Sequence, residues 1–197
     1  MTSAFIKGIK QHSERYYIVH HSSQSLYDEG VDRDGMSPRI TSIVVMHVPT
    51  RQTVSFSMHA VAEEKGIAKE DVEQRYNEIE REIIERFYSF VRDRREKYWV
   101  HWQMKNIVFG FEHIEHRFRA LNSDKSVPPH IPVEVRINLD SVLREKYGDE
   151  YAPNPRMLNL MLLNGQRDPR FMTGAEEASA FKSQRIHPNA QLHDLKG

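Results

Sequence analysis

An α/β layered domain is what this sequence predicts: a mixed sheet of five strands flanked by helices. Three observations carry the expectation. Five short segments are rich in β-branched and aromatic residues, and turn or loop residues or helical stretches separate them. The first three have nothing helical between them, as in an antiparallel meander. The fourth and fifth are each reached through a segment of helical periodicity, which joins them to the sheet by crossovers.

The elements follow in order. Residues 16–20 (YYIVH) are aromatic and β-branched, so they form a strand. The Gly, Asp and Pro of YDEGVDRDGMSP mark a loop. Residues 40–48 (ITSIVVMHV) are nearly continuous in apolar side chains at their centre, as in a strand buried on both faces. The turn PTRQ joins this strand to residues 53–58 (TVSFSM), which alternate, and the two strands make a hairpin. Val72, Tyr76, Ile79, Ile83, Phe87 and Val91 recur at three- and four-residue spacing and predict a long amphipathic helix over about 69–95. Its terminal Arg92, Arg94 and Arg95 suit the negative end of the helix dipole, which explains them without a ligand. Residues 98–102 (YWVHW) form the fourth strand, and Phe111, Ile114, Phe118 and Leu121 stripe a second helix. Prolines make SDKSVPPHIP a loop before the fifth strand, residues 133–139 (VEVRINL). Asp140 or Ser141 caps the next helix and Gly148 ends it. Another helix opens at Pro155, and Thr173 with Glu176 forms a capping box before a last helical run. No repeat or low-complexity linker is visible, so residues 14–197 read as one domain after an N-terminal segment, 1–13.

Composition narrows the function classes. Lys+Arg and Asp+Glu both number 28 in the 197 residues, so formal net charge is zero. A globally basic nucleic-acid binder is not supported, although a local basic face remains open. With no cysteine there is neither disulfide nor thiolate metal site. No apolar run resembles a secretory signal or reaches the roughly 20 residues that span a bilayer, so a cytoplasmic protein is expected. No phosphate-loop, dinucleotide-binding or nucleophile-elbow motif occurs.

Three local stretches, together with the element order, carry a resemblance. IVHHSSQSL (residues 18–26) ends the first strand and enters a turn. NIVFG (residues 106–110) follows the fourth strand. NAQLHDL (residues 189–195) lies near the C-terminus. The chain resembles the DEDD-type 3′–5′ exonucleases, of ribonuclease H-like fold, over most of its length. The resemblance implies a five-stranded mixed sheet with acids at the ends of the first and fourth strands. Here His20 and Ser22 stand where that family has a D-x-E pair, and Gly110 replaces the Asp of N-x-x-F-D, with Asn106 and Phe109 matching. Asp194 matches the final H-x(4)-D motif, while Asn189 replaces its His. One of four expected acids therefore survives. Two-metal phosphoryl transfer needs hard anionic oxygens around two divalent cations. The resemblance accordingly implies an exonuclease-like pseudoenzyme with no cofactor, binding a nucleic-acid end or a protein partner, in a setting such as bacterial defence. Ending in mid-motif suggests that the chain continues into a longer protein.

Candidate chemistry stands beside plainer readings. Trp102, Lys105, Asn106 and Arg117, with Trp99 and Arg119, mix aromatic and basic character near the expected cleft, as in base-stacking sites. Strand alternation points His101 and Trp102 to opposite faces and puts at least one Trp in the core. His20, His113, His116 and Asp194 are the metal candidates, and with Mg or Mn they would make an active nuclease of unconventional ligands. The plainer reading of Glu112, His113, Glu115 and His116 is an exposed helix flank interacting with Arg117 and Arg119. The adjacent His20 and His21 point to opposite faces of their strand, and the acidic loop Asp28, Glu29, Asp32, Asp34 is solvated. That loop fails as a calcium loop, with Gly30 at its first ligand position and Thr41 at its twelfth. A third possibility is a pure protein-interaction subunit.

Overall fold

The computed structural model describes residues 2–24, 37–105, 109–122 and 127–166. The chain divides into two compact units, Met1–Asp149 and Glu150–Gly197.

The first unit is built on a five-stranded mixed sheet of order β3-β2-β1-β4-β5. Its strands are β1 Tyr16–Ser23, β2 Ile40–His47, β3 Thr53–Ser57, β4 Tyr98–His101 and β5 Arg136–Asn138. β2 is antiparallel to both β1 and β3, while β4 runs parallel to β1 and β5 parallel to β4. The helices are α1 Thr2–Gln11, α2 Met58–Glu64, α3 Tyr76–Arg92, α4 Phe111–Leu121 and α5 Leu139–Tyr147. The mixed sheet therefore matches expectation. In the second unit α6, Arg156–Leu163, follows a cis Asn154–Pro155 bond.

The core lies between the sheet and α3. That helix buries Tyr76, Ile79, Ile83, Ile84, Phe87 and Val91 in one stripe, because three- and four-residue steps return to the same face. Trp99 of β4 is fully buried, stacked on Tyr17 with rings 5.6 Å apart and met edge-on by Phe87 and Phe90. On the opposite sheet face Tyr16 stacks on Tyr98 and meets Phe5 of α1.

Several boundaries move for identifiable reasons. The long helix begins at Tyr76, not near residue 69, because Asp71 and Val72 donate to carbonyls three residues back and form a 3₁₀ turn at Lys69–Asp71. β3 stops at Ser57, whose hydroxyl accepts the Ala60 N–H and caps α2. Neither α2 nor α1 was expected from the sequence. β4 ends at His101, one residue early, where Gln103 turns with φ 56°. Residues Val133–Val135 form a 3₁₀ turn after Pro132, leaving only three residues to β5. Asp140 does not cap α5. It is buried and accepts from the Gln103 side chain. Asn138 holds the cap position instead, and its side chain spans Gln103 N–H and the Ser141 hydroxyl. The expected capping box at Thr173 lies outside the described residues.

Candidate functional site

β1 is the strand where the sheet changes sense, antiparallel on one side and parallel on the other. The carboxyl ends of the parallel strands β1, β4 and β5 lie on the side of the sheet where open α/β sheets commonly bind ligands. β1 pairs with β4 only over Tyr16–Ile18, so its distal residues run on beside β2 alone among the named strands. There the pleat sends His20 outward and His21 fully inward, as alternation requires. Ser22 is half-buried opposite Ser42 of β2.

Gly110 opens α4 from an isolated antiparallel bridge with Lys105. A Cβ at this position would lie 2.7 Å from the Met104 carbonyl carbon and 2.8 Å from the Lys105 nitrogen. Both obstacles are backbone and cannot swing aside. Its φ of 158° with ψ of −166° also belongs to a region that only glycine enters readily. The position that the resemblance reserves for an acid is thus occupied by a close approach of two backbone segments, which leaves no room for any side chain.

The basic and aromatic candidates separate. Trp102 is half-buried on the bend after β4, and Lys105 is exposed. Trp99 belongs to the core. Arg117 is corrected from a surface cation to a buried one. Its Nε and a terminal nitrogen donate to the two carboxylate oxygens of Glu80, at 2.8 and 2.5 Å, and Glu80 is wholly buried on α3. Glu80 Oε1 also accepts the Ile40 N–H at 2.8 Å, while the Tyr76 hydroxyl donates to the Ile40 carbonyl. Arg117 is therefore committed to holding β2 against α3 and α4. Asn106, Asn189 and Asp194 lie outside the described residues.

The α4 cluster is also rearranged. Helical spacing puts His116 and Arg119 at the surface but buries His113 completely, so the flank is not wholly exposed. Glu112 and Glu115 pair with Arg136 of β5, and Glu115 also meets His130, rather than pairing with Arg117 and Arg119. Among the described residues no group of three or more His, Asp or Glu is placed to hold a metal ion.

Burial dominates the electrostatics of three histidines. His113 and His101 are each held down to about 4, chiefly because burial disfavours the charged ring. Arg117 and His116 add to the effect on His113, which the Pro38 carbonyl partly opposes. Arg136 and Lys105 add to it on His101, against Glu112. His21 is pushed well below the ordinary imidazole range by burial, then by His113 and His20, with the Ser22 backbone acting the other way. All three are neutral at pH 7. His101 Nδ1 accepts the Met104 N–H, and His113 Nε2 donates to the Pro38 carbonyl at 2.7 Å. The inward face of His21 was legible from strand alternation. Its neighbour on α4 was not, because nothing local in the sequence links the two residues.

No described helix is long and apolar enough to cross a membrane. Comparisons with protein-family models, with curated proteins and with solved structures find no match to this chain.

Proposed function

We propose that the Met1–Asp149 unit is an exonuclease-like domain of ribonuclease H-like build that has given up two-metal cleavage and binds the end of a nucleic acid. The supporting observation is the pairing of strand order with the Gly110 junction. The sheet order is β3-β2-β1-β4-β5, and on this reading His20 and Ser22 of β1 and Gly110 ahead of α4 stand in for that family's acids. A neutral imidazole, a hydroxyl and a glycine lack the anionic oxygens that a pair of magnesium ions requires. The half-buried Trp102 and the exposed Lys105 lie on the segment that leads to the same junction, and there they would offer a ring and a cation to a nucleotide. With Arg117 spent inside the protein and formal net charge zero, this surface favours one end or a few nucleotides over a long duplex.

A gel-shift series with end-labelled single- and double-stranded DNA and RNA at low salt, in Mg²⁺ and in Mn²⁺, tests the reading. Binding without hydrolysis, weakened by Trp102→Ala and Lys105→Ala, is the expected result. Hydrolysis abolished by Asp194→Ala would overturn it and favour the active nuclease of unconventional ligands. No binding at any salt would favour a protein partner, a reading already supported by the neutral charge balance.

A further inference from the structure

His21 and His113 meet inside the protein, with ring centroids 5.3 Å apart and planes inclined by 59°. Both are fully buried, one on β1 and one on α4, so rigid elements hold each ring. Nδ1 of His113 has no hydrogen-bond partner, and the nitrogens of His21 make no well-aligned bond, the Ser22 backbone being the one polar group near enough to act on that ring. Buried polar atoms are nearly always paired, and exceptions commonly mark an ion, a water or a functional role. The Pro38 carbonyl takes the proton on His113 Nε2. That fixes the tautomer and leaves Nδ1 as a bare lone pair in the interior. A backbone carbonyl on the far nitrogen is the usual support of a metal-ligating imidazole.

The separation fits as well. A zinc-class ion sits about 2.0–2.1 Å from an imidazole nitrogen, hence about 3.2 Å from the ring centroid. Two such rings at a tetrahedral angle have centroids about 5.2 Å apart, against the 5.3 Å found here. We propose that His21 and His113 form a two-histidine site for a divalent cation of the zinc class. Nδ1 of His113 and one nitrogen of His21 are the ligands, and water or an added ligand completes the shell. Magnesium is excluded as occupant by its preference for oxygen. The site lies at the carboxyl end of β1, yet it does not rest on the exonuclease-like reading. A chain that ignores nucleic acid can still bind the ion.

The test uses the full chain after chelator treatment, titrated with Co²⁺ as a visible probe and then with Zn²⁺. One equivalent of Co²⁺ should give the absorption of a nitrogen-ligated ion, which Zn²⁺ displaces. His21→Leu and His113→Gln should each weaken binding by roughly 100-fold or more, while His20→Ala and His116→Ala leave it within about two-fold. Absence of saturable binding overturns the proposal, as does binding that survives His21→Leu or that depends on His20 or His116. Should either core variant fail to fold, ring ¹⁵N resonances of the native chain decide. Those of His21 and His113 move with one equivalent of Zn²⁺ if the site exists, and stay in place if it does not.

Discussion

Replacing Arg117 with methionine isolates the energetic role of the buried ion pair. The substitution keeps volume in the interior but leaves Glu80, with no exposed surface, facing only the Ile40 N–H among its named charge-assisted partners. Removing one partner of a buried pair typically costs about 3–5 kcal/mol, because the remaining charge is left uncompensated. For a unit of this size that corresponds to a fall in Tm of roughly 6–20 °C. The double variant Glu80→Gln/Arg117→Met removes the charge yet keeps an oxygen for Ile40, so it should lose only about 1–2 kcal/mol. The coupling between the two positions is then about 2 kcal/mol or more. Urea denaturation of the single and double variants measures it. A loss below about 1 kcal/mol for Arg117→Met, with no recovery in the double variant, would refute the argument that this guanidinium is structural.

Three further outcomes follow from other contacts. Gly110→Ala should destabilise by about 2–4 kcal/mol, since its Cβ meets the Met104 and Lys105 backbone; Gly110→Asp should do no better and should confer no cleavage, as read by urea midpoints and a nuclease assay. His101 titrates near 6.5 unfolded and about 4 folded, so the unfolded chain binds the extra proton and stability is lost as pH falls below 6.5. Between pH 7.4 and pH 5 that one ring costs about 2 kcal/mol, and His101→Asn should shrink the measured drop by a similar amount. Ser57→Ala removes the α2 cap and should cost about 0.5–1 kcal/mol, seen as a lower urea midpoint with an unchanged slope.

The sheet was legible because strand and helix periodicities differ and each core strand keeps its own pattern. The α3 and α4 stripes were legible for the same reason, since Ile79, Ile83 and Phe87, or Ile114 and Phe118, return to one face. Short elements escaped. α2 offers seven residues, too few for periodicity to stand out, and its only local sign was Ser57. The site was harder to read because its charges are settled at long range. Arg117 looked available for phosphate until Glu80, 37 residues away, took it into a two-bond pair inside the protein. Arg136 likewise took Glu112 and Glu115, which the sequence had assigned to nearer arginines. Gly110 looked like a missing acid, but the contact that requires glycine comes from a turn whose shape no local pattern encodes.

The hold on Ile40 has an engineering consequence. Its N–H and its carbonyl are both gripped by side chains of α3, and the Gln24 N–H bonds the Arg39 carbonyl where β1 and β2 part. Register at the mouth of that hairpin is thus set by anchors outside the intervening chain. A tag or reporter peptide is therefore best kept away from residues 37–40, where Ser37 and Pro38 are buried, the Pro38 carbonyl holds His113 and the Ile40 N–H is fixed by Glu80.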